Sequence, residues 1–518
     1  PVHKIMEMLT DTRDDRPIIL VEYLYQISNS GGGMGKFREL LEKYPRFQGG
    51  YVWDWQDKCL IAKTPEGKEF FAYGGDFNES YVEHDCPPFM TCNGIVLPDL
   101  VWKPVAYEVK QAYAPLDIRR PSILSPWQTS CGENDYVLRA DPGISLEEYR
   151  CKGVLKENGV EIGEREITLS PEMTRGFTFS IPHTKKPGCE YHMDFLITRK
   201  TAPWFADAGD TVSATQCTLT GGGAAVVQPL SQKGVTLVET PTTAEISVAD
   251  FVCIFNKENG AVISAKKKGK EYLKNSIRPC FSRPKTGIDA QPGWGWYQEY
   301  NGFSDLTEQL ISAEILHSEQ AVTAVFQLAY VREATVLAKA KLSYRVGGEG
   351  KIALTYTASA APHIKIIPRV GVELVVPEGF EQLSYFGFGE NENYCDRLES
   401  ARLGVYESTV EGQNFPFIPP AENGGHEGTR WLSLGDGQGS RLKISGADPF
   451  HFDAHHNTIG EYRAARHDHE LVRHGETYLH IDAAHSQIGS EMAWSTQLDP
   501  AFHLGGKSLT AYWEIELT

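Results

Sequence analysis

The stretch that most narrows the fold is Ile18-Ile-Leu-Val21, four branched apolar residues in a row, followed at once by Glu22. An unbroken run of this kind suits a strand covered on both faces, and so a parallel sheet clothed in helices. Gly31-Gly-Gly33 then loosens the backbone. Met34, Phe37, Leu40, Leu41 and Tyr44 return at helical spacing, with Lys36, Arg38, Glu39, Glu42 and Lys43 between them. Pro45 stops that helix, and Phe47-Gln-Gly-Gly-Tyr-Val-Trp-Asp-Trp55 reads as a second short strand. Strand, loop, helix and strand form the repeating unit of a barrel of parallel strands, where chemistry gathers at the carboxyl ends. Glu22 is thus a candidate catalytic carboxylate, although a strand-end acid in a salt bridge has the same signature. Trp53 and Trp55 have two readings of their own, a platform for the apolar face of a sugar ring or plain core packing.

Only two barrel strands can be placed, at 18–21 and 47–53, after a helical face formed by Val2, Ile5, Met6 and Leu9. A closed barrel of this type needs about eight. The expectation is therefore an incomplete barrel over 1–115, either part of a longer polypeptide or a subunit completed by another chain. From Lys58 to Pro115 the chain passes Tyr73-Gly-Gly-Asp-Phe77, His84-Asp-Cys-Pro-Pro88 and Met90-Thr-Cys-Asn-Gly94, and reads as loop.

Beyond Pro115 the texture becomes one of short alternating runs. Tyr149-Arg-Cys-Lys-Gly-Val-Leu155 and Val160-Glu-Ile162 flank an Asn158-Gly159 hairpin signal, and further runs follow at 176–181 and 191–197. This predicts an immunoglobulin-like β-sandwich over 116–222, with a linker at Thr220-Gly-Gly-Gly-Ala-Ala225. Residues 223–518 show strand patterning without a repeat, which predicts one large antiparallel β-sandwich.

With a formal charge of −18, the chain is unsuited to nucleic acid or an anionic membrane. It has no apolar run long enough to span a bilayer and no signal-peptide pattern. Ten cysteines without any Cys-x-x-Cys pair argue against a zinc or redox motif and favour buried thiols in a reducing, cytoplasmic setting. A leader lost before Pro1 would alter that localisation. Histidines crowd between His451 and His485. His467 and His469 would share a face on a strand and could chelate a metal, but solvated strand and loop histidines are the expectation.

Taken together, Pro17-Ile-Ile-Leu-Val-Glu-Tyr23, the 44–55 run, Tyr73-Gly-Gly-Asp-Phe77 and Cys92-Asn-Gly94 resemble the last part of the catalytic barrel of the family-two β-galactosidases, the large multidomain lactose-hydrolysing type. The likeness continues through Gly387-Phe-Gly-Glu-Asn-Glu-Asn-Tyr-Cys-Asp-Arg397, Pro420-Ala-Glu-Asn-Gly424, Thr429-Arg430 and Trp494-Ser495, and so covers nearly the whole chain. It implies part of a (β/α)8 TIM barrel, an immunoglobulin-like sandwich and the family's large C-terminal sandwich.

For the site, the resemblance implies a retaining β-galactosidase with Glu22 as nucleophile. Such hydrolysis uses two carboxyl groups about 5–5.5 Å apart, and the acid/base glutamate would lie outside this chain. Trp53 and Trp494 would wall the sugar, and Asn93 with the Met90 carbonyl would hold a monovalent cation beside it. Mg and Na are expected for the complete enzyme, with magnesium ligands in the absent part. Tyr25 departs from the family's usual histidine, which bears on how the sugar is held. A β-galactoside such as lactose, the missing barrel segment in cis or in trans, and further copies of the chain are the implied partners. The alternative from the residues alone is a non-catalytic carbohydrate-binding or assembly subunit derived from such an enzyme.

Overall fold

The computed structural model describes residues 2–78, 88–121, 132–221, 234–287, 289, 303, 305–318, 321–347, 351–364, 366–489 and 499–518. The first part is a βαβ unit. Helix α1 (Val2–Thr10) precedes strand β1 (Ile18–Tyr23), helix α2 (Met34–Lys43) and strand β2 (Phe47–Val52), and β1 and β2 pair in parallel. Ile5, Leu9, Ile18, Phe37, Leu40 and Phe47 share one core with helix α3 (Pro104–Ala112) through Val105, Ala106 and Val109. Leu41 lies off that face and is exposed.

The expectation that β1 is covered on both faces does not hold among the described residues. Ile19 is 51% and Val21 78% exposed, and Tyr51 on the paired strand is 68% exposed. Successive strand side chains point to opposite faces, and helices clothe one face only. The loop expected over 58–115 is also partly structured. Leu60–Lys63 and Glu69–Ala72 form an antiparallel hairpin, and α3 starts at a proline whose missing N–H costs nothing in the first turn. The stretch His84-Asp85-Cys86 lies outside the described residues.

The described residues of 116–220 build two sheets, one of Leu116–Arg119, Asp135–Ala140 and Phe177–Thr178, the other ordered Thr211–Thr220, Tyr191–Arg199, Tyr149–Glu157, Val160–Ile167. Side chains from both, including Ile118, Tyr136, Cys151, Leu155 and Phe195, meet in one core. The Asn158-Gly159 hairpin forms as its sequence predicts, with both residues left-handed at φ 49° and 80°. The predicted linker falls mostly outside the described residues.

Among the described residues from 236 onward, a 5-stranded antiparallel sheet faces a 12-stranded one. Ile246, Phe251 and Phe255 from the smaller sheet pack with Phe326, Tyr344 and Leu354 from the larger in a single continuous core. No helix of the described residues is long and apolar enough to cross a membrane.

Candidate active site

β1 is irregular where it matters. The ladder to β2 runs Leu20 to Gly50 and then Tyr23 to Val52, so three steps on β1 oppose two on β2. An extra residue in a strand re-aims the side chains beside it. Here it turns Tyr23 onto the helix side, edge-on to Phe37 at 5.1 Å, and leaves half-buried Glu22 in the irregular stretch at the strand's carboxyl end. The backbone stays tense beyond it. Leu24 and Ser28 both have φ 52°, a left-handed conformation that non-glycine residues adopt at a cost of about 1 kcal/mol or more each.

The end of β2 and the Asn93 turn bring other predicted residues alongside. The Trp53 amide donates to the Tyr23 carbonyl at 3.1 Å, and the Asp54 amide donates to the Asn93 carbonyl at 2.8 Å. Glu22, Trp53 and Asn93 therefore stand on three consecutive segments along one rim. Trp53 is 41% exposed, so part of its ring is open to a ligand. The Lys58 ammonium lies 5.8 Å from the centre of that ring.

The Asn93 turn is fixed from below. A Cβ on Gly94 would meet the Asp57 amide nitrogen at 2.2 Å, so only glycine fits. Asp57 accepts from the Gly94 amide at 2.7 Å and is paired with fully buried Lys103 at 2.8 Å. Burial raises the Asp57 carboxyl against the pull of Lys103. The Cys59 and Cys92 sulfurs lie 3.3 Å apart beside this turn, as free thiols.

The residues do not fit the implied monovalent cation. Asn93 Oδ1 accepts from the Lys58 ammonium at 2.7 Å, and Lys58 is tied to Asp54 at 2.7 Å. The Met90 carbonyl accepts from the Tyr25 hydroxyl at 3.4 Å, and Tyr25 is buried. A second monovalent cation at Asn93 would face an ammonium across one oxygen atom, with repulsion of several kcal/mol at the dielectric of a partly buried site. As for a divalent metal, among the described residues the one group with suitable spacing is His451, Asp453 and Asp482 in the large sandwich, not beside Glu22. There the fully buried Arg369 guanidinium already sits between the two carboxylates, 3.1 Å from Asp482 and in contact with Asp453.

Sequence reasoning missed what holds the loop after Glu22. Asn29 is fully buried, and its amide donates to Glu392 Oε1 at 2.8 Å and to the Glu422 carbonyl at 2.7 Å, while its Oδ1 accepts from Arg397 at 2.8 Å. Ser28 Oγ donates to the Pro419 carbonyl at 2.6 Å, and the Gly33 amide donates to the Asp396 carbonyl at 2.7 Å. Asp396 in turn accepts from the Ile488 and Gly489 amides at 3.2 and 3.0 Å. Gly32 lies so close to Asp396 that a Cβ would overlap its carboxylate at 2.0 Å. The 387–397 and 420–424 motifs are thus the sandwich's grip on the loop that follows Glu22. Their sequence signal was visible, their role was not.

The histidines also differ from expectation. His451, His455, His467 and His480 are buried rather than solvated, because acids and carbonyls far away in sequence receive them, and His485 is buried too, with its Nδ1 2.8 Å from the neighbouring Ser486 carbonyl. His480 Nδ1 lies 2.6 Å from Asp453, and His451 Nδ1 2.8 Å from Asp482. His467 caps a short 3-10 turn (Asp468–Glu470) and His469 lies within it, so neither is on a strand, and their rings stack at 5.4 Å. His467 also reaches Asp76 of the Tyr73–Phe77 motif at 3.1 Å, so it ties the sandwich to the first domain. Trp494 lies outside the described residues.

Two family models match the chain. The model of the glycosyl hydrolases family 2 TIM barrel domain matches residues 2–118, and that of the beta galactosidase small chain matches residues 247–513. Curated relatives named β-galactosidase include those of Aeromonas hydrophila, 29% identical over 95% of this chain and 47% of its own length, and of Streptococcus thermophilus, 27% identical over 95% and 46%. That of Vibrio cholerae is 26% identical over 97% of this chain and 48% of its own length. The chain spans about half the length of the curated relatives it matches. Among solved structures, a galactose 1-epimerase from Lactobacillus acidophilus aligns with 56% of this chain and 99% of its own at 9% identity and a TM-score of 0.30, a likeness too weak to argue from. With a barrel-domain match at its start and the small-chain model over just over half its length, the chain belongs to the β-galactosidase small chain family.

Proposed function

We propose that this chain is the C-terminal part of a retaining β-galactosidase, with Glu22 as nucleophile in a double displacement on terminal β-D-galactose. Glu22 attacks the anomeric carbon as the glycosidic oxygen leaves. A second carboxyl group, on barrel strands beyond these 518 residues, protonates that oxygen and then activates the water that frees the sugar. The open face of Trp53 stacks on the galactose ring, and Trp494 serves as a further wall. Tyr25, with a single polar atom beside Met90, shapes the pocket floor where the family's histidine would bond the sugar. Lys58 supplies the positive charge at Asn93, so no step runs through a sodium ion. The magnesium expected for the complete enzyme belongs with the absent carboxylate.

The domain reading goes with this: 1–115 as an incomplete TIM barrel, 116–222 as an immunoglobulin-like sandwich and 223–518 as the large sandwich, in an assembly of more than one copy. The exposed face formed by Ile19, Val21 and Tyr51 is where the remaining strands dock. The single observation that carries the proposal is the placement of Glu22 and Trp53 at the carboxyl ends of the paired strands β1 and β2, with the Asn93 segment hydrogen-bonded to Asp54 beside them. The test is hydrolysis of a nitrophenyl β-galactoside by the chain mixed with a polypeptide supplying the preceding barrel strands, with Glu22→Gln alongside. Activity lost by at least a thousandfold in Glu22→Gln is expected, and undiminished activity would refute the assignment.

A further inference from the structure

A cavity of about 450 Å³ opens between the first domain and the large sandwich. One wall comes from Ser28 and Phe89, the other from Lys285 and from Arg463 and Arg466 at the end of helix α4 (Ile459–Ala464). It adjoins the candidate site, because Phe89 packs in the same cluster as Tyr25 and Met90. In a chain with 68 acidic and 50 basic residues, no carboxylate lines this cavity among the described residues, while three cationic side chains do.

The three cations differ in how they are employed. Arg466 is paired with Asp76 at 2.8 Å, and Arg463 donates to the Arg283 carbonyl at 3.1 Å. The half-buried Lys285 ammonium makes no hydrogen bond and no ion pair with any described residue. The carboxylate that acts on it, Asp289, is already held by Arg283 at 2.9 and 3.1 Å and by the Thr286 amide at 3.1 Å. Burial and then the charge of Arg463 push the Lys285 amine below its ordinary value, as expected for an ammonium whose solvation has been removed and not replaced. A half-buried, uncompensated charge in a protein cavity is costly, and a bound anion would relieve that cost.

We infer that this cavity is a subsite for an anionic group, a sulfate or carboxylate borne by the saccharide beyond the galactose, with Lys285 as its principal contact. The inference rests on the galactoside reading of the adjoining site and narrows its substrate class from neutral to acidic β-galactosides.

Calorimetric titration of the intact 518-residue chain at low salt tests it with three probes: inorganic sulfate, lactobionate, whose aglycone carries a carboxylate, and lactitol, its uncharged counterpart. Lactobionate should bind at least tenfold more tightly than lactitol. Lys285→Met should erase the difference and Lys285→Arg should keep most of it. Sulfate that binds without any lactobionate preference would mean a free-anion site and overturn the saccharide assignment. Equal affinity for lactobionate and lactitol without sulfate binding, or a preference that survives Lys285→Met, would overturn the subsite altogether. These titrations need no turnover. An anion preference intact in Glu22→Gln, beside a completed enzyme that hydrolyses no galactoside, would reject the hydrolase reading and leave the cavity's selectivity standing.

Discussion

The large sandwich and the barrel portion bury their apolar residues in opposite ways. In the sandwich, both sheets turn Phe255, Phe326, Tyr344 and Leu354 onto one core, and all four are at most 1% exposed. In the barrel portion, β1 and β2 are clothed by helices on one side, while Ile19, Val21 and Tyr51 face outward. Exposed large apolar side chains gathered on one sheet face mark a surface built to be covered. Among the described residues, then, the two sheets of the sandwich cover each other, while the barrel portion is also tied to it by the grip of Asn29, Ser28 and Gly33 on the 387–397 and 419–424 segments.

The most damaging way to break the sandwich is to remove Arg369. Asp453, Asp482 and Glu422 would then lose the guanidinium they share, leaving only the histidine contacts of Asp453 and Asp482, which costs about 3–5 kcal/mol. Urea denaturation of Arg369→Met should show that loss, with the sandwich unfolding first.

A second effect comes from protons at the seam between the halves. Glu108 on α3 accepts from the Glu399 and Ser400 amides at 2.9 and 3.1 Å, yet burial raises its carboxyl to about 7. Because the folded form holds the proton more tightly than the unfolded one, its contribution is fully present below the ordinary glutamate range. It fades as pH rises through about 7. Burial moves Glu422 in the same direction. Stability should fall by up to about 3 kcal/mol per group between pH 4.5 and 7.5. Glu108→Gln should flatten that part of the pH profile of the denaturation midpoint.

Loosening the grip itself should matter less for stability and more for activity. Asn29→Ala leaves Glu392 and Arg397 short of a partner and should cost about 1–3 kcal/mol. With the loop after Glu22 free to shift, the completed enzyme should lose roughly tenfold to a hundredfold in kcat, against a smaller change in KM. Val21→Thr sharpens the contrast from the other side. At 78% exposure it should change the stability of this chain by less than about 0.5 kcal/mol, yet weaken association with the completing strands. Sedimentation of the mixture would read that weakening.

What the sequence made legible follows from range. The β1–α2–β2 unit, the Asn158-Gly159 hairpin and the strand-end positions of Glu22 and Trp53 are local, set by periodicity, turn chemistry and strand ends, whereas Asn93 stood out only through the family resemblance. Asn29 meets Glu392 across hundreds of residues, and no local pattern shows that an asparagine after a strand is an anchor. The histidines misled for the same reason, since His480 and His451 are buried only because Arg369, Asp453 and Asp482 converge on them. The bare face of β1 was hidden by its own composition, because Ile18–Val21 reads alike whether its second face is covered or waiting.

The most direct test of the account is covalent trapping. The chain, alone and mixed with a polypeptide supplying the preceding barrel strands, would be treated with a fluorinated galactosyl fluoride that halts a retaining enzyme at its glycosyl intermediate, and the labelled peptide identified by mass spectrometry. A label on Glu22 is expected in the mixture, much less in the chain alone, and none in Glu22→Gln. A label on another carboxylate of this chain, or none in a mixture that hydrolyses galactosides, would contradict it.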